Sequence, residues 1–89
     1  MKILVLTNGF IIVAESIEFQ GNYIAWPRAL NLRKWGGGKG LGHIAYDGPT
    51  HENDKLDPEP AGRVHEMLCV RMIDVQPEAA ERMYGLFGA

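Results

Sequence analysis

Apolar and β-branched residues dominate positions 3–7 and 10–18, and Asn8-Gly9 separates the two runs. That dipeptide is the strongest short-range hairpin signal, because a two-residue turn of this kind needs positive φ at both positions. The pattern therefore predicts an N-terminal hairpin. Its first strand is apolar on both faces, as expected of a central strand. Gln20-Gly21-Asn22 marks a second turn, and a third strand is expected from Tyr23 to about Trp35. Pro27 cannot donate to a ladder, so a bulge is expected there. With period 2, Ile24, Trp26, Arg28, Leu30 and Leu32 share one face of that strand and read as core. Tyr23, Ala25, Asn31, Arg33 and Trp35 share the other, a mixed face suited to a pocket or a subunit contact.

After the glycine run at 36–42, residues 41–46 predict a short helix with Leu41, Ile44 and Ala45 inward, ended by Asp47-Gly48-Pro49. Residues 50–62 are polar and read as a loop. Residues 64–75 read as one more strand or two short ones. Pro77 opens a last helix, with Glu78 and Glu81 in its early turns, where the dipole favours acids. Ala80, Met83, Tyr84 and Phe87 form its apolar side. The whole predicts a single α+β domain over residues 1–89: a small twisted, mainly antiparallel sheet with a short middle helix and a C-terminal helix.

Composition narrows the class. Hydrophobic residues are 46% and charged residues 22%, ordinary for a folded domain. No apolar run approaches the ~20 residues of a membrane-spanning helix. The apolar N-terminal stretch is too short for a signal peptide, which leads to an expected cytoplasmic location, and the lone Cys69 suits a reducing compartment. A net charge of −2 argues against binding a nucleic-acid polymer. Eighty-nine residues without a disulfide bury a small core, so a homo-oligomer is expected on size grounds.

Charge is unevenly placed. No acidic residue lies between Phe19 and Tyr46, and all eleven Asp and Glu fall outside that window. The window holds Arg28, Arg33, Lys34, Lys39, Trp26, Trp35 and the glycine run. Cations, an exposed ring and glycine amides are what a nucleotide-like anion needs. Arg28, Arg33 and Lys39 would meet phosphates, and the amides of Gly37, Gly38, Lys39 and Gly40 would line them. Trp35 would stack on a base, and His43 would bond a ribose or base edge. Trp26 is better placed in the core. The P-loop motif itself fails, because Lys39 is followed by Gly40 rather than Ser or Thr. A plain strand-to-helix connection explains the glycines equally well, and a solvated sheet face explains Arg33. Arg28, on an apolar face, demands an anion or a water-filled cavity.

Other chemistry finds less support. His43, His51, His65 and Cys69 lack metal-ligand spacing, so no metal is expected. The chain has no nucleophile elbow, and Cys69 in an apolar run reads as a buried thiol. No cofactor and no catalytic residue is assigned.

Three segments carry a resemblance: Ala29-Leu30-Asn31-Leu32-Arg33-Lys34-Trp35, then Leu41-Gly42-His43-Ile44-Ala45-Tyr46-Asp47-Gly48, then Met72-Ile73-Asp74-Val75-Gln76-Pro77 running into Glu78-Ala79-Ala80. In this order, after an N-terminal hairpin, they resemble a family of short, mostly uncharacterised proteins encoded by bacteriophages and prophages. The resemblance implies a phage origin and a small β-rich fold, and supplies no catalytic residues. Small phage proteins of this size include sponges that sequester nucleotide signals of bacterial immunity. By that analogy the expected function is anti-defence sequestration of a nucleotide signal, such as a cyclic ADP-ribose relative or a cyclic dinucleotide, without turnover. The rival expectations are a protein-interaction module that blocks a host enzyme, and a nucleotide-cleaving enzyme using His43 or His51.

Overall fold

A computed structural model of the chain describes residues 1–35 and 40–87. Among these the chain forms β1 (Lys2–Leu6), β2 (Ile11–Ala14), β3 (Glu18–Gln20), β4 (Tyr23–Trp26), β5 (Ala29–Lys34), α1 (Gly42–Asp47), β6 (Lys55–Glu59), β7 (Gly62–His65), β8 (Cys69–Asp74) and α2 (Pro77–Met83). Short 3₁₀ turns occupy Glu66–Leu68 and Tyr84–Leu86. The strands make two antiparallel sheets, one of five in the order β6-β5-β2-β1-β8 and one of three in the order β3-β4-β7. The α+β class read from the sequence is the one observed.

The middle of the five-stranded sheet is covered on both faces, which is why β2 and all of β1 after Lys2 are apolar. Ile3, Val13, Leu30 and Leu32 meet Ile44, Ala45, Ala79, Met83 and Phe87 on the helical side. Leu4, Ile12 and Ala29 meet Ile24 on the other side, with Trp26, Val64 and Cys69 packed around them. The chain is thus three layers thick: helices, large sheet, small sheet. β1 lies inside its sheet, between β2 and β8, as its two-faced apolar pattern requires.

The first hairpin forms, but with a different turn. Val5 pairs with Ile11, and the Leu6 N–H donates to the Phe10 carbonyl at 2.9 Å. The Gly9 N–H donates to the Leu6 carbonyl at 3.0 Å. Only Gly9 has positive φ, +89°, and Asn8 does not. This is a three-residue loop: a turn followed by a left-handed glycine, rather than the two-residue form. Asn8 contributes its side chain instead, its Oδ1 accepting the Phe10 N–H at 3.0 Å. At the second turn, Gln20 pairs with Tyr23 and Gly21 alone has positive φ, +61°, as in a II′ turn.

The expected long second and third strands each break in two. The first leaves the large sheet after Ala14 and re-enters the small one at Glu18. The other leaves the small sheet after Trp26 and joins the large one at Ala29. Pro27 makes a corner rather than a bulge, since it has no N–H to continue a ladder. The two segments turn together: the Glu15 N–H donates to the Arg28 carbonyl at 3.2 Å. The shared face proposed for Ile24 and Leu30 therefore does not exist. Ile24 packs between the sheets, and Leu30 packs under the helices.

Residues 50–62 are not simply a loop. Residues 55–59 form the edge strand β6, which pairs with β5 and sends Leu56 against the helical-side core. Pro58 is tolerated because an edge strand leaves one side unpaired. Residues 64–75 resolve into β7 and β8, which lie in different sheets. α1 turns Ile44 and Ala45 inward, with Leu41 packed beside them, as expected. α2 buries Ala79, Ala80 and Met83. Tyr84, expected on that apolar side, is exposed, because a 3₁₀ turn replaces the α-helix there and shifts the facing residues. No helix of the described residues is long and apolar enough to cross a membrane.

Candidate anion-binding site

The two arginines of the cationic window end up far apart. Arg28 lies at the corner before β5, and Arg33 lies near its far end. At ~3.4 Å per strand residue they stand roughly 17 Å apart, too far to clamp one phosphate. Arg28 has found its anion inside the chain. Its Nη2 is 2.5 Å and its Nε 2.9 Å from the same Glu15 oxygen, and its guanidinium sits 5.2 Å over the Phe87 ring. The hydrogen bond from Arg28 holds the Glu15 carboxyl below its ordinary value of 4.5. A carboxylate with a depressed pKa stabilises the fold above its unfolded pKa, and loses that contribution as pH falls through the folded value. Glu15→Gln should therefore lower the melting temperature at pH 7, with the difference from wild type closing as pH drops well below 4. Thermal melts across that range check this; a constant difference would remove the ion pair from the account.

Arg33 is the extra residue of a bulge, between Leu32, which pairs with Leu56, and Lys34, which pairs with Lys55. Its Nε donates to Asp57 Oδ2 at 2.6 Å, and this bond raises its pKa further, so it stays charged. Lys34 and Lys55 stand directly opposite each other across the β5–β6 ladder. Like charges in that position repel. Among the described residues neither ammonium has a salt-bridge partner. Beside them is a cleft of about 260 Å³ lined by Arg33, Pro49, Asp54, Lys55, Leu56, Asp57 and Leu86. Trp35 directly follows Lys34 and is 39% exposed.

His43 belongs to the wall behind this cleft. Its side chain is 8% exposed. Nε2 is 2.9 Å from Thr50 Oγ1 and 3.6 Å from Asp54 Oδ2, while Nδ1 is 3.3 Å from Asp47 Oδ2. Asp54, with a fully buried side chain, accepts the His51 N–H at 2.9 Å. The imidazole thus ties α1 to the segment that leads into β6, and both its nitrogens are turned to the protein. Gly40 precedes α1 with φ +76°, and its carbonyl accepts the His43 N–H at 3.3 Å. Gly37, Gly38 and Lys39, expected around phosphate, lie outside the described residues.

Trp26, partly buried, packs against the core between the sheets and not with Leu30 and Leu32, whose face it was expected to share. Its indole lies across Gly62, where a Cβ would come within 3.1 Å of Cζ2, and its N–H donates to the Pro60 carbonyl at 3.3 Å. His65 and Cys69 are separated by the 3₁₀ turn. Among the described residues no group of three His, Cys, Asp or Glu is arranged to hold a metal ion. Sequence reasoning missed Lys55, because 50–62 read as loop. The alternation of Lys55, Asp57 and Glu59 about Leu56 was the available signal for a strand.

No protein-family model, curated protein or solved structure matches this chain.

Proposed function

We propose that this protein binds a small nucleotide-like anion without turning it over, at the β5–β6 end of the large sheet. The Lys34–Lys55 pair carries the reading. Two opposed ammonium groups are an unfavourable arrangement that a bound anion relieves. Arg33 adds a third cation beside the pair and, with Lys55, lines the cleft, while its bond to Asp57 fixes its orientation. The cleft is slightly smaller than the ~300–1,000 Å³ of ordinary ligand pockets, so it suits a phosphate and sugar, with the base lying outside against Trp35. Arg28 and His43 are not part of this set, since one serves the corner and the other the wall. Sequestration of a nucleotide immune signal by a phage-encoded protein in the host cytoplasm is the biological role that goes with non-catalytic binding, and its support is the sequence resemblance.

Calorimetry with ADP-ribose and a cyclic dinucleotide tests the reading. Lys55→Ala and Arg33→Ala should each weaken binding by about tenfold, with a shallower salt dependence than wild type. Trp35→Ala should weaken it with the salt dependence unchanged. Ligand recovered intact after heat denaturation supports sequestration, whereas product formation makes the protein an enzyme. Affinity that both charge deletions leave intact removes the site.

A further inference from the structure

We propose that the outer edge of β8 is a homodimer interface, joining two large sheets into one continuous ten-stranded sheet. The large sheet ends in two unlike edges. β6 is protected: it carries Pro58, which cannot donate, and the charged residues Lys55, Asp57 and Glu59. Such residues keep foreign strands away. β8 is not protected in this way. Over Cys69–Asp74 it contains two charges, Arg71 and the terminal Asp74 that pairs with Lys2, and no proline. Its one irregularity falls at Val70, leaving Arg71–Asp74 in regular register with β1. Regular edge backbone offers donors and acceptors to a further strand.

The side chains around that edge are apolar and uncovered. Met67 is 79% exposed, Val70 62%, Leu68 49% and Met72 39%. Together they present on the order of 400 Å², the size of the largest patch on a typical monomer, which is often functional. Two such patches, together with the two strand edges, approach the ~1,000 Å² that a specific interface needs. Charge selects a second copy over a charged partner. Arg71, Asp74, Lys2 and Glu66 cancel, and Lys2 is already paired with Asp74. A two-fold axis through the edge pairs β8 with itself, the self-complementary contact of a symmetric dimer. The anion site lies at the opposite edge of the sheet, complete within one chain, so the two proposals fail or stand separately.

Sedimentation and light scattering over 1–500 µM test this. Wild type should show twice the 9.9 kDa chain mass. Val70→Lys combined with Met72→Lys should give a folded monomer, judged by circular dichroism. Hydrogen exchange on wild type supplies a second measurement should that variant unfold: the β8 amides that point away from β1 should be protected at high concentration and lose protection on dilution. A monomeric wild type overturns the proposal. So does a dimer whose outward β8 amides exchange freely, or a dimer that the double variant leaves intact.

Discussion

Gly48→Val should destabilise the protein by about 3 kcal/mol, combining a left-handed backbone penalty with overpacking against a helix. Gly48 closes α1 at φ +76°, where its N–H donates to the Ile44 carbonyl at 3.0 Å. A Cβ here would stand 3.2 Å from the Ala79 carbonyl oxygen and 3.3 Å from Arg82 Cβ. The first of these is helix backbone and cannot move aside. Arg82 also donates to the Asp47 carbonyl at 2.6 Å, so pushing α2 away would break the contact that satisfies the end of α1. For a domain of this size the melting temperature should fall by roughly 10–25 °C. Gly48→Ala should show a smaller loss, because it avoids the β-branch. A valine variant melting within a few degrees of wild type would mean that the two helices are not locked at this point. The position also matters for the cleft, since Pro49 of its wall follows directly and Asp54 six residues on.

Local chemistry made the strands and helices legible; the corner and the register were not. Asn8-Gly9 announced a hairpin because glycine supplies the positive φ, yet the same dipeptide serves two loop lengths. Only the pairing of Val5 with Ile11 decides between them. Pro27 signalled an interruption, but whether the chain bulges or changes sheet depends on Glu15, in a segment a dozen residues earlier that bonds to Arg28. The Arg28–Glu15 pair is equally non-local, which is why Arg28 read as an arginine in search of a ligand. β6 was hidden by its own protection: the charges and proline that make a safe edge are the composition of a loop. Once β6 was missed, the Lys34–Lys55 opposition was out of reach, because it exists only in the register of β5 with β6. Through Arg33 and Trp35 the cationic window pointed to the end of β5 at which the site is proposed. It could not show which of its cations converge, since convergence is a property of the sheet.

Leu30→Ala should cost about 3–5 kcal/mol, the range of fully buried leucines whose surroundings relax little. Leu30 has no exposed surface and sits where the large sheet meets both helices, in one cluster with Val13, Ile44 and Met83. Relaxation is restricted from both sides. Val13 and Pro58 are its register partners on β2 and β6, so the backbone around it is held by ladders. Across the gap, α1 and α2 are fastened to each other through Gly48 and Arg82, so neither helix can sink alone to fill the space. A domain of this length has roughly 4–13 kcal/mol in total, so the substitution removes a large share. Urea denaturation measures the loss directly, with an unchanged slope indicating that the same surface is still exposed on unfolding. The damage should also reach the cleft, because Pro58 lies across from Leu30 and β6 carries Lys55 and Asp57. Hydrogen exchange in β6 should rise more than in β4 or β7, which belong to the other sheet. A loss under 1 kcal/mol, or uniform exchange in both sheets, would mean that the helices do not seal this face of the sheet.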